Sequence, residues 1–238
     1  MLHEACMNGL TTSPALVIFD CDGVLVDSEM LSAGVLMSMM KAEGLPITEE
    51  IFRSDFLGRS FAAAAARAAE RFGRPLPEGF EMSYRNLLLT RMGEELAPMP
   101  GVVVVLNGLT IPFCLATSSS PQRLAVSLGA TGLARYFEGR CFTASEVQAG
   151  KPAPDLFLHA ARRMGEQPSR CLVIEDSEMG VRAALAAGMT VWHFRGGAHV
   201  KAGYGLPEGL SPHLAVDSMQ ELDVSLRKLG LSSGANSP

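Results

Sequence analysis

Apolar positions along the chain fall into short runs. Four of them, 15–23, 112–120, 171–177 and 189–194, each end in polar or small residues, and a weaker run covers 213–218. Between them, 121–129, 154–165, 178–187 and 218–229 are helix-like segments. Strands that are apolar throughout, alternating with amphipathic helices, predict an α/β fold with a parallel sheet covered on both faces. In such a sheet the ligand site lies outside the carboxyl ends of the strands, and the polar residues of these runs sit at those ends.

One region interrupts the alternation. From about Ser28 to Ala97 no strand pattern appears. The alanine-rich stretch 61–73 favours helix by propensity, and 81–96 carries apolar residues at helical spacing. The segment "LAPMPG" (96–101) then resembles a proline-rich hinge back to the sheet. The expected organisation is a core of residues 1–27 and 98–238 with an inserted helical cap at 28–97. The stretch "VVVVL" (102–106) is ambiguous. Its β-branched residues favour strand, whereas its place between Pro-Gly and the next apolar run suits a crossover helix.

Composition narrows the picture. With 238 residues, 47% of them hydrophobic, the chain can bury a substantial core. Twenty Lys and Arg against 25 Asp and Glu give a net charge of -5, which argues against a nucleic-acid partner. The five cysteines are scattered through apolar runs, as expected of core residues in a reduced, cytoplasmic protein. The first fourteen residues have neither the positive start nor the apolar core of a signal peptide, and no stretch has the length of a membrane span.

Chemistry concentrates at four strand ends. In "VIFDCDGVLVDSE" (17–29) an apolar run breaks into Asp20 and Asp22. On extended backbone these would point the same way, so one is protonated or a cation is shared, and a hard cation such as Mg2+ suits oxygen ligands. Alone, the pattern is also that of an acidic loop in which Asp20 caps a helix. "IEDS" (174–177) repeats the design with Glu175 and Asp176, where ordinary capping by Asp176 or Ser177 is the alternative. "ATSSSP" (116–121) places Ser120 as an N-cap before Pro121 and leaves Thr117 and Ser118 to form, with backbone N–H groups, a phosphate cradle. "GKPAPDLF" (150–157) offers Lys151 in a rigid frame, or a solvated lysine before a helix. The four together, in this order, make a Mg2+ site, a phosphate cradle and a carboxylate free to attack.

The motifs "FDCDGVLVDSE", "LATSS", "GKPAPDLF" and "VIEDS" resemble the four motifs of the haloacid dehalogenase superfamily. They are nearest to its phosphatases and phosphomutases with a helical cap after the first strand. The resemblance implies a Rossmann-like core, Mg2+ as cofactor and an aspartyl-phosphate intermediate. By position, Asp20 is the nucleophile, Asp22 the general acid/base, and Lys151 neutralises charge while also contacting substrate. Thr117, Ser118 and Ser119 bind the phosphoryl group. Asp20, Asp22 (through its backbone carbonyl), Glu175 and Asp176 hold the metal. The expected partner is a small phosphorylated sugar, polyol or sugar acid, with no nucleic acid or membrane, for a monomer or weak homodimer.

Asp22 argues against dehalogenase and phosphonate hydrolase chemistry, which lack an acid there. The rival is a β-phosphoglucomutase-like enzyme. Where that mutase has a cap histidine and a cap arginine, this chain has Ser32 and Phe61, which favours hydrolysis. Arg59 is the cap residue expected to reach the substrate; a solvated arginine is the alternative. A non-catalytic binding protein on the same fold is the remaining alternative, against which stands the complete set of catalytic residues.

Overall fold

A stretch such as "LVIF", apolar on both sides, is stable only where both faces of the strand are covered. The computed structural model, which describes residues 13–56, 61–201 and 203–233, buries it in that way. Six parallel strands, β1 (Leu16–Phe19), β2 (Phe113–Thr117), β3 (Cys141–Thr143), β4 (Cys171–Glu175), β5 (Thr190–Phe194) and β6 (Leu214–Val216), lie in the order β3-β2-β1-β4-β5-β6. Side chains alternate between the faces. Val17, Phe19, Leu115 and Ile174 join one apolar cluster, while Leu16, Ile18, Cys114 and Val173 join another on the opposite face. This is the expected α/β, Rossmann-like core. The strand order reverses between β1 and β4, the place where doubly wound sheets bind ligands.

Between β1 and β2 come α1 (Glu29–Ala42), α2 (Glu49–Asp55), α3 (Phe61–Phe72), α4 (Phe80–Glu95) and α5 (Val102–Gly108). The first four build a small core of their own around Leu36, Met40, Phe52, Phe56, Ala64 and Phe80. Helix α4 also turns Leu88 and Met92 into the sheet's cluster. The chain leaves and re-enters at one point: Val26 bridges Pro98, and Met99 N–H donates to the Leu25 carbonyl at 2.8 Å. The segment "VVVVL" is helical. Val102, Val105 and Leu106 are buried while Val103 and Val104 are exposed, which is helical periodicity, so packing overrides β-branched propensity here.

The remaining core helices are α6 (Pro121–Ala130), α7 (Asp155–Arg163), α8 (Glu178–Ala186), the single turn α9 (Ala198–Lys201) and α10 (Met219–Lys228). Two expectations need correction. Strand β3 has no counterpart in the apolar pattern, because three residues at a sheet edge are too short to show a period. The run 15–23 contracts to 16–19: the backbone turns after Phe19, with Gly23 N–H bonded to the Val26 carbonyl at 2.8 Å, so Asp20 and Asp22 are not on extended strand. The described cysteines Cys21, Cys114, Cys141 and Cys171 are free, and burial pushes the Cys171 thiol up to about 12, as suits inert core residues.

Candidate active site

Sheet register brings the four motifs together. Phe19 pairs with Ile174 on one side and Leu115 on the other, so the next residue, Asp20, stands beside Glu175 and Ala116. Its N–H donates to the Ile174 carbonyl at 3.0 Å. Lys151 Nζ donates to Asp20 Oδ1 at 2.5 Å, to Glu175 Oε1 at 2.7 Å and to the Ala116 carbonyl at 3.3 Å. Its side chain is only 4% exposed, so this is no solvated surface lysine.

Asp20, Glu175 and Asp176 are all buried and offer carboxylate oxygens within 4.8 Å of one another. Burial, with Glu175 and Asp176 nearby, raises the Asp20 carboxyl well above the usual range despite Lys151. Burial, then Glu175 and Glu29, do the same to Asp176. Three buried acids with one lysine leave negative charge uncompensated. Hard oxygen donors in that state can hold a divalent metal ion, and the chemistry of the donor set fits Mg2+.

Each acid is aimed by its neighbours. Ser177, the N-cap of α8, donates its N–H (2.7 Å) and its hydroxyl (2.9 Å) to Glu175 Oε2, and its oxygen also accepts from Gly180 N–H at 3.1 Å. Capping therefore falls to Ser177, and Asp176 is free for other work. A Cβ at Gly180 would lie 1.7 Å from Glu175 Oε1, and one at Gly23 would lie 1.8 Å from Asp176 Oδ2. Gly23 also has φ +78°, so two constraints exclude a side chain there.

Asp22 goes elsewhere. Its carboxylate accepts from the hydroxyls of Ser28 and Ser119 and from Arg123 at 2.9 Å. Burial works to raise this carboxyl, but Arg123 and the two hydroxyls hold it below its usual value. Of the two alternatives for the acid pair, a cation shared between the side chains does not fit this placement. Among the described residues the carboxylates gathered for a metal are those of Asp20, Glu175 and Asp176, which leaves to Asp22 only its backbone carbonyl as a ligand. The turn after Phe19 separates the two acids.

Thr117, buried at the end of β2, accepts from Ser119 N–H at 3.0 Å and so shapes the turn before α6. Ser118 is exposed there. Both line, with Ser119, Asp20 and Lys151, a cleft of about 500 Å³ that continues toward Glu29, Tyr84, Leu88, Leu89 and Arg123. Arg59 lies outside the described residues. At the two mutase positions, Ser32 donates to the Ser28 carbonyl at 2.9 Å and Phe61 stacks on Phe80 and Tyr84.

Sequence reasoning missed Arg123, His193 and His199. Arg123 comes from the first turn of α6 and also reaches Ser32 Oγ at 3.4 Å. His193 Nε2 donates to the Asp176 carbonyl at 3.1 Å, and His199 Nε2 lies 3.1 Å from Asp176 Oδ2. Burial lowers both imidazoles below their usual values. A signal existed for His199: it follows the end of β5, a place of the same kind as that of the acids.

Comparison with known proteins agrees with this layout. The family model for haloacid dehalogenase-like hydrolases matches residues 14–188. The chain is 29% identical over 187 residues to the 6-phosphogluconate phosphatase of Escherichia coli (strain K12), covering 78% of this chain and 84% of that protein. It is 33% identical over 187 residues to the phosphorylated carbohydrates phosphatase of Thermotoga maritima, covering 73% and 81%. A crystal structure of a hydrolase of this family from Deinococcus radiodurans R1, with bound phosphate and sodium, superimposes with a TM-score of 0.78 at 31% identity, covering 93% of this chain and 99% of that one. With a family model spanning all four motifs, and with those motifs gathered at one end of one sheet, the chain belongs to the haloacid dehalogenase-like hydrolases.

Proposed function

We propose that this hydrolase is a Mg2+-dependent phosphatase acting on a small phosphorylated sugar, polyol or sugar acid through a phosphorylated Asp20. The observation that carries the reading is the pairing of buried Asp20 with Lys151 inside the acid cluster, with Asp22 held apart in a separate hydrogen-bonded site. The two acids differ in surroundings. Lys151 and a bound cation would counter the burial that raises Asp20 and favour the ionised form that attack requires, while Asp22, held ionised by Arg123, must gain a proton before it can act as an acid. The relatives from Escherichia coli and Thermotoga maritima are phosphatases of 6-phosphogluconate and of phosphorylated carbohydrates, which supports the substrate class.

Asp20, Glu175 and Asp176 would hold Mg2+, which when bound supplies positive charge against the phosphoryl oxygens. Asp20 attacks phosphorus; the new Oδ–P bond forms as the bond to the ester oxygen breaks. Lys151 balances charge on Asp20 and on the phosphoryl group. Asp22 is ionised beside Arg123; once Arg123 turns away, Asp22 takes a proton from solvent and gives that proton to the departing ester oxygen. In the second half Asp22 takes a proton from water as that water attacks phosphorus, the Oδ–P bond breaks, and inorganic phosphate leaves. Thr117 fixes the turn that presents Ser118 and Ser119 to the phosphoryl group. Residues 28–97 act as a cap that closes over the cleft and opens to release product.

Water rather than a sugar hydroxyl is the acceptor in this reading. Ser32 and Phe61 provide no cation for the second phosphate of a bisphosphate. The test is 31P NMR with a panel of phosphorylated sugars and sugar acids in Mg2+, including β-glucose 1-phosphate primed with its 1,6-bisphosphate. Free phosphate matching substrate loss is expected. Glucose 6-phosphate forming with little free phosphate would establish a mutase instead.

A further inference from the structure

Asp176 is held at two atoms by two histidines, and they do different jobs. His193 lies in β5, directly opposite Glu175 in the sheet register, and anchors the main chain of Asp176 at its carbonyl. His199 lies beyond the strand, in the single turn α9, and meets the carboxylate itself, Nε2 to Oδ2 at 3.1 Å. Its side chain is 3% exposed. Nδ1 is buried and has no hydrogen-bond partner among the described residues. A buried imidazole with one nitrogen unsatisfied is a cost to the fold, and the compensating contact is the one to Asp176.

The backbone around His199 is shaped to admit the ring. A Cβ at Gly197 would stand 2.8 Å from both Cε1 and Nδ1, and one at Gly23 would stand 3.0 Å from Cε1. Gly197 therefore serves by its lack of side chain. The same segment is tied to the entry of the inserted helices, because Ala198 N–H donates to Asp27 Oδ1 at 3.3 Å. Two glycines, one from the β1 turn and one from the β5 loop, thus enclose a single imidazole over a single carboxylate.

We propose that His199 is a positioning residue of this site: its Nε2–H fixes the rotamer of the Asp176 carboxylate in which that oxygen set receives the divalent cation. The inference rests on the reading of Asp20, Glu175 and Asp176 as the Mg2+ site. Outer partners that orient a ligating side chain in this way typically contribute about 10- to 100-fold in metal affinity.

The test is Mg2+ binding by titration calorimetry on the full chain, independent of turnover. Wild type, Asp176→Asn, His199→Leu and His199→Gln are compared, with circular dichroism and urea midpoints recorded for each. The Gln amide N–H reaches close to where Nε2 stands; Leu fills the space without a donor. His199→Leu is expected to weaken Mg2+ binding about 10- to 100-fold, and His199→Gln to stay within about threefold of wild type. A His199→Leu protein that binds Mg2+ as tightly as wild type overturns the inference, as does equal loss in the Leu and Gln variants. If the Leu variant does not fold, His199→Asn replaces it: its amide is too short to meet Oδ2, and affinity equal to that of His199→Gln overturns the inference. Binding by wild type that Asp176→Asn abolishes, together with no response to His199, sinks this inference alone. No Mg2+ binding by wild type sinks the site reading and this inference together.

Discussion

The two acid pairs of this chain look alike in sequence and differ in space. Asp20 and Asp22 stand one residue apart after β1; Glu175, the last residue of β4, and Asp176 are adjacent. The second pair stays together, both carboxylates turned into one cluster and aimed by Ser177, Gly180 and His199. The first pair is split. Asp20 joins the cluster on Lys151, and Asp22 is drawn off by Ser28, Ser119 and Arg123. Pairing acids concentrates negative charge for a cation, whereas splitting them gives each its own proton affinity. The environment, not the spacing, decides which acid joins the cluster.

The largest expected effect comes from the member of the split pair inside the cluster. Asp20→Asn removes the proposed nucleophile and should lower kcat by at least about 10³-fold, with an unchanged circular dichroism spectrum. Residual turnover near wild type would remove Asp20 from its role. Asp22→Asn should lower kcat by about 10²- to 10⁴-fold, as loss of a general acid/base does. Because Asp22 stands outside the cluster, calorimetric Mg2+ affinity should barely change in that variant. A large loss of Mg2+ affinity would join the two acids again and break the comparison.

Arg123→Gln should have a smaller effect. It removes a charge-assisted bond from Asp22 while Ser28 and Ser119 remain, so a loss of about tenfold in kcat/KM is expected, with Mg2+ affinity retained. No change in kcat/KM would show that the two hydroxyls alone suffice to hold Asp22.

The smallest effect is on stability. Asp20 and Asp176 have carboxyls raised by burial, so the folded protein binds their protons more tightly than the unfolded chain does. In the absence of metal, stability should therefore fall as pH rises from the usual carboxylate range through their raised values. Asp22, held below its usual value, acts in the opposite sense only at lower pH, and His193 and His199, also lowered by burial, oppose the effect between neutral pH and mild acid. Thermal melts in EDTA should show a higher Tm in mild acid than at neutral pH, and added Mg2+ should raise Tm more at neutral pH. A Tm in EDTA that climbs toward neutrality would contradict the unrelieved repulsion in the cluster.

Much of this was legible in the chain. Continuous apolar runs mark β1, β2, β4 and β5, because buried parallel strands need no polar face, and the polar residues at their ends mark the site. Ser120 before Pro121 marks the start of α6 through its cap chemistry. What was not legible depends on distances across the fold. Arg123 is 101 positions from Asp22, and no local pattern distinguishes it from other helix arginines. Strand β3 owes its existence to its neighbour β2 rather than to its own three residues. "VVVVL" takes helix because its place in the chain turns Val102 and Val105 inward, which propensity does not register.

The central claim is that Asp20, and not Asp22, carries the phosphoryl group. The most direct measurement is rapid acid quench of the enzyme during turnover of a phosphorylated sugar that it hydrolyses, followed by borohydride reduction and peptide mass spectrometry. The account predicts conversion of Asp20 to homoserine, dependent on substrate and Mg2+, with Asp22 unmodified. Reduction at Asp22, or phosphate release with no acyl-phosphate at Asp20 under conditions that capture the first turnover, would contradict it.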